Sequence, residues 1–99
     1  MSAHDFDFLD DTTEQTSTRF VCFITDSMNR FDLAITRTDR YYGKRLVTDL
    51  QSGKTAIVGP DDLKEEGYLE HAYGLDETGA KELKSFLEEI LGPVTFSDY

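Results

Sequence analysis

Four groups of residues in this chain have types and spacings that could do chemistry. Ser52-Gly53-Lys54-Thr55 ends like a phosphate-binding loop, where a glycine turn and a following helix aim backbone N–H groups at phosphate. That motif requires another glycine five residues before Gly53, where Thr48 stands, and a helix where Ala56-Ile57-Val58 reads as a strand. The run is therefore read as a turn. Cys22 is a candidate nucleophile with His71 as its base, but Cys22 sits inside an apolar run and no third residue is marked to orient the imidazole. Thiols in such surroundings are inert, so Cys22 is expected in the core and His71 at a helix surface or boundary. The segment His4-Asp5-Phe6-Asp7 has the acids of a metal site but lacks the glycine and terminal glutamate of a calcium loop. The one histidine of this segment and the chain's one cysteine are too few for zinc. No metal or other cofactor is expected.

The fourth group rises above that background. Arg37, Arg40, Tyr41, Tyr42, Lys44 and Arg45 interleave bases with aromatic rings, a pattern that can hold phosphates while the rings stack on nucleobases. The bland alternative is a connection between strands whose tyrosines pack and whose charges stay solvated. A third use of the segment is to dock an acidic protein partner, or the acidic helical half of a second copy of this chain.

The elements that position these groups follow from hydrophobic period and turn residues. Residues 19–25 are apolar on both faces, with Phe20, Cys22 and Ile24 opposite Val21 and Phe23, which predicts an interior strand covered on both sides. Residues 31–36 alternate, with Phe31, Leu33 and Ile35 on one face. Residues 45–51 and 54–58 form a hairpin about Ser52-Gly53, where glycine accepts a positive φ. Pro60 opens a short helix, Gly67 breaks it, and Gly74 stops the turn or two that follow. Asp76 is the expected N-cap of the last helix, whose stripe of Ala80, Leu83, Phe86, Leu87, Ile90 and Leu91 is the strongest periodic signal in the chain. Gly92-Pro93 ends it. The expected fold is α+β: an antiparallel four-stranded meander, a short broken helix, and a C-terminal amphipathic helix packed on the sheet. Phe20, Cys22, Ile24, Leu33, Ile35, Val47, Ile57, Leu83, Phe86, Leu87 and Ile90 are the expected core.

This organisation divides the chain into an acidic arm (1–18), one domain (19–92) and a tail (93–99) that either adds an edge strand or stays loose. The arm is expected to be largely irregular, with at most one turn of helix around residues 6–10 packed on the domain, and Phe6, Phe8 and Leu9 are its only apolar anchors. Charge is uneven. Residues 1–15 hold five acids and no bases, residues 16–58 seven bases and four acids, and residues 59–99 eleven acids and three bases. The net charge of −10 should repel nucleic acid and anionic membranes, leaving only the middle segment attractive to an anion. No apolar run approaches a membrane span, and the N-terminus lacks the basic and apolar regions of a secretory signal. With a lone cysteine and no disulfide framework, a cytoplasmic protein is expected.

The succession Arg19-Phe20-Val21-x-Phe23, Arg30-Phe31-Asp32, Tyr42-Gly43-Lys44-x-Leu46-Val47, Gln51-x-Gly53-Lys54-x-Ala56 and Asp61-Asp62-Leu63 resembles a family of small proteins from Gram-positive bacteria known only as a domain of unknown function. The resemblance runs from about Phe8 to Leu91. It implies a bacterial cytosolic protein and transfers no catalytic residue. The expected function is therefore a small binding or regulatory module that acts on another protein without catalysis, through residues 37–45. Nucleic-acid binding by the same residues is the second reading, and a small enzyme built on Cys22 and His71 the third.

Overall fold

A computed structural model describes residues 5–92. Four strands form one antiparallel sheet in the order β1-β2-β3-β4: β1 (Ser17–Ile24), β2 (Arg30–Arg37), β3 (Arg45–Asp49) and β4 (Lys54–Val58). Three helices follow, α1 (Pro60–Leu63), α2 (Tyr68–Tyr73) and α3 (Glu77–Leu91). The meander arises because each link is short enough to return the chain antiparallel. Between β1 and β2, Thr25 N–H donates to the Asn29 carbonyl at 2.9 Å, with Met28 at a φ of 69°. Between β3 and β4, Gly53 takes a φ of 80° and donates to the Asp49 carbonyl at 2.7 Å.

The helix boundaries follow local chemistry. Asp62 accepts from Gly59 N–H at 2.8 Å at the start of α1, and Gly74 ends α2 at a φ of 68°. Asp76 caps α3, its Oδ1 accepting from Gly79 N–H at 2.7 Å. All three helices contribute buried residues to one core with the sheet, joining Phe31, Leu33, Ile35, Val47 and Val58 to Leu63, Leu69, Tyr73, Ala80, Leu83 and Leu87. Two tyrosines of α2 fasten that layer to sheet backbone. Tyr73 donates to the Val47 carbonyl at 2.6 Å and Tyr68 to the Ile57 carbonyl at 3.0 Å. Burial raises both phenols above the ordinary tyrosine pKa, Tyr73 by far the more, so both stay donors.

Three expectations fail. β1 is an edge strand, and Phe20 and Ile24 are 71% and 62% exposed, with Cys22 exposed between them. Only Val21 and Phe23 of that strand reach the core, where Phe23 meets Phe86 at 4.5 Å between ring centroids. The helices supply one layer and it covers one face, so among the described residues nothing covers the second apolar row of β1. In β4, Ala56 and Val58 take the inner side and Ile57 is half-buried on the outer one, because Val47 pairs with Ala56. The arm from Asp5 to Thr16 is irregular, as expected, but lacks the turn of helix, and Phe6, Phe8 and Leu9 are exposed rather than docked. Neighbouring acids keep that stretch hydrated, and three apolar side chains do not offset the cost of ordering it. The expectation of an edge strand in residues 93–99 lies outside the described residues.

Candidate functional site

The parity of an antiparallel sheet decides which side chains meet. Arg19 pairs with Ile35 and Ser17 with Arg37 across β1 and β2, while Ile35 pairs with Val47 and Thr36 with Leu46 across β2 and β3. Arg37 follows Thr36 and Arg45 precedes Leu46, so the register sets these two arginines side by side. Arg19 stands one strand away on the same face. The three, with Ser17, Thr18 and the buried Ile35, line a pocket of about 280 Å³. Arginine forks can grip a carboxylate or phosphate through paired N–H bonds. A second hollow of about 320 Å³ adjoins, lined by Gln15, Thr16, Ser17, Thr38 and Asp39, with Arg37 shared between the two.

Residues 37–45 do not form one surface. Arg37 and Arg45 face the pocket, and Arg45 also donates to the Lys44 carbonyl at 3.2 Å. Arg40 turns to the acidic arm, donating to Thr12 Oγ1 at 2.6 Å and to Asp10 at 3.3 Å, with Glu14 at 3.8 Å. Hydrogen bonding and charge from Asp10 lead in raising the Arg40 pKa. Thr38 adds a 2.6 Å hydrogen bond to Glu14. Lys44 reaches back to Asp62 of α1 at 3.6 Å, its stem lying so close over buried Gly59 that a Cβ there would stand 2.8 Å away. Tyr41 is half-buried and Tyr42 exposed.

Arg19 lies far from Arg37 and Arg45 along the chain, so contiguity in the sequence does not join it to them. The usable signal was topological: in a meander, the start of β1, the end of β2 and the start of β3 lie at the same end of the sheet.

The remaining candidates separate. Cys22 lies on the helix-free face, whereas α2, which carries exposed His71, packs on the other. Cys22 instead stands beside its cross-strand partner Asp32, and its thiol, as a donor, leads in holding that carboxyl below its usual range, with Arg30 at 3.1 Å assisting. At the Ser52-Gly53 turn, Ser52 donates to Asp49 at 2.7 Å, which places a carboxylate where a phosphate loop would need a cation. A cleft of about 440 Å³ between the short helices and α3 sets Lys64, Lys81 and Lys84 against four glutamates. It has no cationic excess. Among the described residues, no group of three His, Cys, Asp or Glu is placed to hold a metal, and no helix is long and apolar enough to cross a membrane.

None of the curated proteins compared with the chain matches it. A family model does, over residues 9–89, a span containing the whole sheet, the three pocket arginines and nearly all of α3. The chain belongs to the family described as SAV0927-like.

Proposed function

We propose that this protein is a non-catalytic binding module that takes an acidic segment of another protein into the pocket of Arg19, Arg37 and Arg45. The observation that carries the reading is that three arginines from three strands line one pocket together with the buried Ile35. Carboxylate is the favoured ligand chemistry because the same chemistry operates next door, where Asp10 and Glu14 of the arm approach Arg40. Nucleic acid is the weaker reading. A chain of net charge −10 repels a polyanion, and Arg40 and Lys44 already have carboxylate partners. The setting that goes with this reading is a bacterial cytoplasm, Gram-positive by the family resemblance. A reducing compartment keeps an exposed thiol such as Cys22 free.

The test is a titration of a fluorescent glutamate-rich peptide, a single-stranded oligonucleotide and inorganic phosphate against the intact protein and its Arg19→Ala and Arg37→Ala variants. Peptide binding should weaken about tenfold for each variant, about 1.4 kcal/mol, and should fall as salt rises. Peptide affinity indifferent to both substitutions would overturn the proposal. An oligonucleotide that binds more tightly than the peptide would move the assignment to nucleic acid.

A further inference from the structure

The outer edge of β1 carries an inference independent of the arginine pocket. Thr25 N–H donates to the Asn29 carbonyl, in line with the pairing of Phe23 with Phe31. Hydrogen-bonded and non-hydrogen-bonded pairs alternate along an antiparallel ladder. Ser17, Arg19, Val21 and Phe23 therefore turn their backbone groups toward β2, and Thr18, Phe20, Cys22 and Ile24 turn theirs away from the sheet. The next ladder agrees, since the Asp32 carbonyl accepts from Leu50 N–H on the β3 side. Among the described residues β1 pairs with β2 alone.

Natural edges are blunted by shortness, proline, charged side chains, a bulge or a covering element. Among the described residues β1 has one charge, Arg19, and none of the other devices. It runs eight residues as STRFVCFI, pairs with β2 without interruption, and exposes Phe20 and Ile24 beside its outward backbone groups.

We infer that β1 pairs antiparallel with β1 of a second copy, about a two-fold axis at Val21, to give a continuous eight-stranded sheet. Parity selects this register. Outward-facing residues must face one another, and centring on Val21 sets Thr18 against Ile24 and Phe20 against Cys22 of the second copy. All the outward groups are then used, whereas a shift by two residues strands some of them at one end. The side chains agree with it. The strand's one charge, Arg19, falls opposite Phe23 rather than another arginine, and the Cys22 sulfur meets an aromatic ring. One strand pair buries less than the ~800 Å² per partner of a permanent interface, so the dimer is reversible.

Sedimentation across a dilution series should show a monomer–dimer equilibrium. Proline at Cys22 removes an outward N–H that β2 does not use, so Cys22→Pro should fold and weaken dimerisation at least about tenfold. Register is tested by crosslinking. Val21 should stand about 4.5 Å from its counterpart between Cα atoms, so Val21→Cys combined with Cys22→Ser should form a covalent dimer under oxidised glutathione. Cys22 of the unaltered chain should not, its Cα atoms being about 9 Å apart across the axis. A chain that stays monomeric throughout the series overturns the inference. Slow amide exchange at Phe20, Cys22 and Ile24 in such a monomer would assign the edge to an in-chain partner.

Discussion

The two edges of this sheet are built in opposite ways. β4 is five residues long, opens on a lysine, and turns one outward carbonyl, that of Ile57, into a hydrogen bond with Tyr68 of α2. β1 is eight residues long, carries two exposed large apolar side chains, and shows no such cover among the described residues. The cause lies in chain order. The helices follow β4 directly, and α2 packs beside that strand before α3 crosses to meet Phe23 of β1 at its inner face. One edge is closed by what comes next in the chain, and the other is left to whatever the molecule meets.

The largest expected effect separates the two sides of β1 itself. Val21→Pro removes a hydrogen bond to β2 and should cost about 3 kcal/mol or more in chemical denaturation, whereas Cys22→Pro should cost less than half of that in the monomer. Equal losses would mean that the assignment of inward and outward groups is wrong. A smaller effect belongs to the other edge. Tyr68→Phe removes the hydroxyl on the Ile57 carbonyl and should destabilise by about 1 kcal/mol, with faster amide exchange in β4. An unchanged exchange rate would show that α2 does not close that edge.

The smallest effect concerns the turn between β1 and β2. Glu82 of α3 accepts from Ser27 at 2.6 Å and from Asn29 at 2.9 Å, and these hydrogen bonds hold its pKa below the ordinary 4.5. A folded-state pKa lower than the unfolded one stabilises above the unfolded value, and the contribution disappears as pH falls through the folded value. The Ser27 and Asn29 resonances should therefore shift together in acid, at a pH below 4.5. In Glu82→Gln that step should vanish. A step that survives the substitution would belong to another carboxylate.

Much of this arrangement could be read from residues in order. The alternation of Phe31, Leu33 and Ile35, the Ser52-Gly53 turn, the glycines that bound α2, and the Asp76 cap each report a local backbone requirement, and the structure meets each one. β1 departs from its local pattern for a physical reason. An apolar run on both faces is the pattern of a covered central strand, and of an edge strand whose second row meets another molecule. Local pattern does not separate the two. The arginine pocket was half visible, through Arg37 and Arg45, while Arg19 lay far from them along the chain.

Residue order alone settled the sequence of strands and helices and the stripe that α3 buries, because these depend on backbone preferences and periods spanning a few neighbours. Which row of β1 stays wet, and which bases gather into a pocket, depended on strand register and on how many layers the helices can supply. Those are properties of contacts between distant segments, and they exist only once the chain has folded.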